Sequence, residues 1–212
     1  MKDIEFNNPH RKKHFEFFRG MSNPHFNITA EVDISSLLPF LKENNLPTNI
    51  TIAYLISRAA NDIPEFRWRI REDKVVEHPF VNPSFTVSTE VADVFSFCTV
   101  PYEKDSTKFI EAALKQRDLM RTSPSFEDEE NRDDFLFLSA FPWLNFTSVQ
   151  HAMDLNPCDS IPRMTWGKFT AIGKKIVMPL SVQTHHAVVD GRHIGHFFKL
   201  FEELCCNPTQ FL

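Results

Sequence analysis

Five glycines in 212 residues, against 14 prolines, is the feature that most narrows the fold. No G-x-G-x-x-G occurs, which excludes a dinucleotide-binding fold of that kind, and no G-x-x-x-x-G-K-[ST] phosphate loop occurs either. The few glycines present are expected where the backbone needs one. Phenylalanine is the opposite case, with 22 copies beside 2 tyrosines and 3 tryptophans, so the core should be strongly aromatic. A hydrophobic content of 42% and a charged content of 24% suit a globular chain that needs no disulfide or structural metal. Residues 1–212 are expected to form one domain, since no linker rich in Pro, Gly or Ser divides them.

Lys and Arg number 23 against 28 Asp and Glu, a net charge of -5, which argues against binding nucleic-acid phosphates. Cys98, Cys158, Cys205 and Cys206 form no C-x-x-C pair, so zinc-ribbon and thioredoxin readings fail. The N-terminus has no apolar stretch before a small-residue cleavage site, and no run approaches ~18 apolar residues. The expectation is a reduced, cytoplasmic protein with no membrane span.

Residues 11–19 read as a short helix with Phe15 and Phe18 inward. Residues 26–33 (FNITAEVD) alternate as a half-buried strand. A helix is expected over 34–43, capped by Asp33 or Ser35, and a strongly apolar one from Thr48 or Asn49 to about Ile63. Residues 68–77 read as a hairpin, 85–102 as β-rich, 109–121 as an amphipathic helix and 135–141 as a buried strand. Residues 124–134 are acidic and read as a surface loop. A turn at Lys174–Lys175 leads into a long strand, IVMPLSVQTHHAVVD, and 192–205 closes as a helix with Ile194, Phe197, Phe198, Phe201 and Leu204 on one face. Strands and helices mix without strict alternation, which predicts an α/β fold: a two-layer sandwich with a mixed β-sheet and helices packed on one face.

The chemistry concentrates in Gln183-Thr-His-His-Ala-Val-Val-Asp-Gly191. In an extended chain His186 and Asp190 would stand roughly 13 Å apart, so they cannot touch along a straight strand. The strand is therefore expected to end there in a tight turn. Asp190 then suits the N–H groups of the following helix, or an Arg from elsewhere. His186 sits at the strand end.

The segment LSVQTHHAVVDGRHIGHFF followed by LFEELC resembles the C-terminal signature of chloramphenicol O-acetyltransferases. So do RKKHFEFF near the N-terminus and LSAFPWLNFTS at 138–148, in the same order over essentially the whole chain. The resemblance implies a CoA-dependent acyltransferase-like fold and a homotrimer with sites at subunit interfaces. It implies acetyl transfer from acetyl-CoA to a chloramphenicol hydroxyl in a ternary complex, with acetyl-CoA as co-substrate and no tightly bound cofactor or metal. His186 matches the general base, and an imidazole accepts a proton near neutral pH. Ser139 matches the oxyanion donor, and Thr165, in MTWGK, a threonine that supports the same site through water. Asp190 and Arg11 match a buried ion pair. Trp143, Lys168 and Phe169 match the coenzyme channel.

Phe17, Phe18, Phe26, Phe95, Phe97, Phe126, Val149 and His151 are the expected acceptor lining. Phe18 stands where some relatives have Tyr, Phe97 where smaller residues occur, and Val149 and His151 where more apolar or aromatic ones do. Pro24 and His25 lie in a small-residue stretch. These departures leave two alternatives: an acyltransferase for another hydroxyl or thiol, and a non-catalytic drug-binding relative. His185 is expected to pack. His10-x-x-x-His14 lacks the zincin Glu and carries Lys12 and Lys13, so it is not expected to bind a metal, and His193-x-x-His196 reads as surface or interface. Glu127-Asp-Glu-Glu130 reads as a solvated acidic loop, Cys205 and Cys206 as packing or an exposed thiol.

Overall fold

The computed structural model describes residues 1–126 and 132–212. In chain order the elements are β1 (Lys2–Ile4), α1 (Pro9–Arg19), β2 (His25–Asp33), α2 (Leu37–Glu43), α3 (Thr48–Asn61), β3 (Trp68–Arg71), β4 (Lys74–Glu77), β5 (Asn82–Ser88), β6 (Phe95–Thr99), α4 (Ser106–Thr122), β7 (Phe135–Phe141), β8 (Arg163–Gly167), β9 (Thr170–Ile172), β10 (Lys175–His185), α5 (Gly191–Cys206) and α6 (Pro208–Phe211).

The main sheet runs β2-β10-β8-β7-β5-β6, with β9 paired to β10. It is mixed as expected: β7 is parallel to both β5 and β8, and the other pairs are antiparallel. Alternation along the central strands sends Leu136, Leu138, Met164, Leu180 and Val182 into the core. There they meet α3, buried on nearly every side, and the apolar stripe of α5. Ile194, Phe197, Phe201 and Leu204 are buried on that stripe and Phe198 is half-buried. The opposite face carries Ser139, Thr165, Ser181, Gln183 and His185. The irregular chain after β7 crosses it: Asn27 Nδ2 donates to the Val149 carbonyl, the His151 N–H to Gln183 Oε1, and His25 contacts the Asp159 carbonyl.

Several local expectations change. The 68–77 hairpin joins β1 in a separate three-stranded sheet. Buried Arg69 ties it to the main sheet by donating to the carbonyls of Asp133 and Phe135. Asp33 caps a turn at Ser35 rather than α2, and Pro47 holds the N-cap of α3, where Thr48 or Asn49 was expected. Strand β8 was not anticipated. Glycine is required at two places: Gly173 has φ +61 at the β9–β10 turn, and a Cβ on Gly167 would lie 2.7 Å from the Leu144 carbonyl oxygen. The acidic run Glu127–Glu130 lies outside the described residues.

Candidate active site

Strand β10 ends at His185, and the chain turns at once. His186 donates its backbone N–H to the Pro24 carbonyl (2.9 Å). Its Nδ1 lies 3.2 Å from the Val189 carbonyl oxygen. A carbonyl only accepts, so Nδ1 carries a proton, and in the neutral ring the lone pair is on Nε2. The ring is held between Phe18 of α1 at 4.0 Å and Phe26 of β2 at 4.2 Å, centroid to centroid. Phe17 is exposed and packs edge-on against Phe18.

The expected buried ion pair between Arg11 and Asp190 is corrected. Among the described residues no ion pair joins them. Arg11 instead donates to the carbonyls of Ala187 (2.8 Å) and Val188 (3.0 Å), with its guanidinium over the Phe6 ring. Asp190 is the N-cap of α5: its Oδ1 accepts from the Arg192 N–H, which holds its carboxyl below the usual range. The physical reason is position. The carboxylate turns outward to the helix N-terminus and is half exposed, while the carbonyls of the turn face α1.

His14 is the residue that sequence reasoning missed. Arg11 Nη1 lies 3.1 Å from its Nδ1, its Nε2 is 3.8 Å from Asp190 Oδ2, and its ring meets His186 edge-on at 5.4 Å. The signal was available in the spacing: residues 11, 14 and 18 share one helix face. Donor atoms of His14, His186 and Asp190 lie within 4.8 Å of one another, the donor types of a zinc site, although the Arg11 cation beside His14 opposes one. Burial, then Arg11 and His186, lower the proton affinity of His14. His193, expected at the surface or an interface, closes a capping box by accepting the Asp190 N–H and lies 3.4 Å from Glu65. His185 packs as expected: it is buried edge-on to His25, and burial followed by His25 pushes its pKa down to about 4.

The remaining predicted residues gather elsewhere. Ser139 of β7 and Thr165 of β8 are register partners, and Thr165 pairs on with Ser181 of β10. Thr165 is wholly buried, and its hydroxyl lies 2.5 Å from His151 Nε2, so an imidazole sits where support through water was expected. Ser139, Trp143, Phe95 and His151 line one cavity of about 720 Å³. Phe95, Phe97 and Phe126 form a ring cluster with centroids 5.3–5.6 Å apart. Lys168 is exposed and donates its N–H to the Leu144 carbonyl, which ties it to the turn of exposed Trp143; Phe169 is half-buried beside it. Val149 contributes its carbonyl to Asn27.

The predicted site is thus split within one chain. His186 lies five residues along β10 from Ser181 and two strands away from Ser139. At ~3.3 Å per residue and ~4.8 Å per strand, their backbones stand about 19 Å apart.

The family model for chloramphenicol acetyltransferase matches residues 1–202. Chloramphenicol acetyltransferase 3 of Escherichia coli is 32% identical over 196 residues, covering 92% of each chain. The chloramphenicol acetyltransferase of Proteus mirabilis is 32% identical, covering 92% of this chain and 90% of its own. A solved chloramphenicol acetyltransferase superposes with a TM-score of 0.82 at 28% identity, over 95% of this chain and 98% of that one. The dihydrolipoamide acetyltransferase of Azotobacter vinelandii shares the fold at a TM-score of 0.72 and 14% identity, over 98% of this chain and 93% of that one. With a family match along nearly the whole chain and relatives above 30% identity, this protein belongs to the chloramphenicol acetyltransferase family.

Proposed function

We propose that the protein transfers an acetyl group from acetyl-CoA to a hydroxyl of chloramphenicol, with His186 as general base in a ternary complex. The observation that carries this is the Nδ1–H···O contact to Val189, which leaves Nε2 free to accept a proton inside an aromatic cleft. Nε2 removes the hydroxyl proton as the oxygen attacks the thioester carbon. The carbonyl oxygen becomes an oxyanion, and the Ser139 hydroxyl donates to it. The tetrahedral intermediate collapses with cleavage of the C–S bond. The imidazolium returns the proton to sulfur, giving the acetyl ester and coenzyme A. Trp143, Lys168 and Phe169 stand beside the Ser139 end, where an aromatic face and a cation suit adenine and phosphate.

The separation of about 19 Å between His186 and Ser139 is too long for one acyl group to meet both. A homotrimer in which His186 of one protomer faces Ser139 of the next closes the gap, and the exposed Phe95 and Phe126 supply apolar surface for such an interface. In this reading residues 1–212 act as one domain, one core running from Phe15 to Cys205. Among the described residues no helix is long and apolar enough to cross a membrane, and a reaction that consumes acetyl-CoA suits the cytoplasm.

The test is release of coenzyme A in the presence of chloramphenicol. The wild type is expected to turn over, and His186→Ala to lose at least about a hundredfold while keeping its assembly. Near-normal turnover in His186→Ala would remove the general-base role. Drug binding with no wild-type turnover would favour a sequestering protein.

A further inference from the structure

His151 is held on two sides. Its Nε2 lies 2.5 Å from the hydroxyl of Thr165, which is wholly buried and cannot move away. Its backbone N–H donates to Gln183 Oε1 at 3.1 Å, and the Gln183 amide is itself turned to Met153 Sδ. The Thr165 contact therefore orients the ring, and the Gln183 contact holds the backbone that carries it. An imidazole has two nitrogens, and only one is used. Among the described residues Nδ1 meets no hydrogen-bond partner, and it is not among the buried unpartnered atoms. It is not fully sealed, and it belongs to a half-buried ring that lines the Ser139 cavity.

Besides Ser139, the wall carries polar side chains at Thr48, Asn49, Thr86, Ser88 and Thr89. Phe95, Ala140 and Trp143 are apolar, and the two arginines that reach the cavity already have carboxylates, Arg117 with Asp118 and Arg121 with Glu90. A molecule enclosed beside Ser139 must either offer Nδ1 a partner or seal it off unpaired. A site built to hydrogen-bond one group rejects an analogue that lacks it far more strongly than an apolar wall rejects a misfit.

We propose that His151 is a specificity-determining residue: pinned by Thr165, it presents Nδ1 to a second polar group of the acceptor, beside the hydroxyl that is acetylated. The inference rests on the acetyl-transfer reading above. The acceptor class it selects is an alcohol with an apolar or aromatic body and a further hydrogen-bonding group within a few ångströms of the reacting oxygen. Burial, with a smaller contribution from Arg163, lowers the proton affinity of His151, so the contact is made by a neutral imidazole at pH 7.

The test measures kcat and both KM values, for chloramphenicol and for acetyl-CoA, in the wild type, His151→Leu, His151→Gln and Thr165→Val. Leu fills the space and removes the contact, and is expected to raise the chloramphenicol KM about tenfold, with kcat and the acetyl-CoA KM within about twofold. Gln keeps a polar reach and is expected to recover most of the loss. Thr165→Val releases the ring and is expected to raise the same KM, and the double variant should be no worse than His151→Leu alone. An unchanged chloramphenicol KM in His151→Leu, or an equal rise in both KM values, overturns the proposal while the wild-type turnover keeps the function. If His151→Leu does not fold, the KM split in Thr165→Val decides. A wild type that neither binds chloramphenicol nor releases coenzyme A overturns the functional reading, and this one with it.

Discussion

Phe18 lies almost parallel to His186, ring centroids 4.0 Å apart and planes inclined by 29°. Phe26 closes the other side at 4.2 Å. The imidazole is held as a slab, free neither to swing about its side-chain bonds nor to tip Nε2 away from the cleft. Aromatic pairs of this kind contribute about 0.5–1.5 kcal/mol beyond burial. Phe18→Ala is expected to lower kcat about three- to tenfold with an unchanged far-ultraviolet dichroism spectrum, and Phe18→Tyr to stay within about twofold. Full activity in Phe18→Ala would show that the Val189 contact alone orients the base.

Arg11 grips the catalytic turn through peptide carbonyls, not through Asp190. The two residues should then behave as separate supports. Arg11→Met removes the two hydrogen bonds to the turn and a third to His14 Nδ1, at about 1.5–3 kcal/mol each before relaxation, and should cost about 3 kcal/mol or more of stability. Asp190→Ala removes a helix cap and should cost about 1 kcal/mol. In urea unfolding the double variant is expected to depart from the sum of the single effects by no more than about 1 kcal/mol, passed through His14, which touches both. A coupling well above that would restore the direct ion pair.

How much of this was legible in the residues depended on whether a neighbour close in sequence did the work. Helix α5 and strand β10 were readable because each carries its own period and its own turn signal. Residues 135–141 were readable as a buried strand for the same reason. Strand β8 was not: RMTWG alternates over too few residues to stand out, and its Arg163 is buried, paired with Asp159 at 2.7 Å. At the site, His186 and Ser139 stand in motifs, so their types and order were enough. The role of His14 depends on α1 docking onto a turn 176 residues beyond Arg11, which no local pattern encodes. The expected Arg11–Asp190 pair had the right residues and the wrong atoms, since sequence cannot show that the turn presents carbonyls to the guanidinium.

The split between His186 and Ser139 has a direct genetic consequence. If each site takes its base from one protomer and its oxyanion donor from the next, two inactive variants can repair each other. His186→Ala and Ser139→Ala are each expected to lose about a hundredfold or more. Co-expressed, they should form mixed assemblies in which some sites carry both native residues. Coenzyme A release is expected to recover to a sizeable fraction of the wild-type rate, well above the sum of the two variants. Recovery no greater than that sum would place both residues in one chain's site, against the backbone separation of about 19 Å.

Burial of imidazoles gives the fold a pH dependence with a definite sign. His185 is pushed from 6.5 down to about 4, chiefly by burial and then by His25. His14, His25, His151 and His193 are lowered as well, each first by burial. A histidine that stays neutral when folded and charges when unfolded binds more protons in the unfolded chain between the two values. Its contribution is therefore whole above the unfolded value and is lost as pH falls toward the folded one. For His185 that window runs from 6.5 to about 4. Asp33, held down to about 2 by its hydrogen bonds to Ser35 and then Lys175, acts only below the ordinary carboxylate value of 3.8 and does not offset it. The urea midpoint is expected to be flat from pH 8 to 7 and to fall steadily from pH 6.5 to 5, with a slope of up to about 1.4 kcal/mol per pH unit for each histidine involved. His185→Gln should flatten part of that slope by removing one of the groups that must charge. A midpoint unchanged between pH 7 and 5 would mean that these imidazoles meet water in the folded protein.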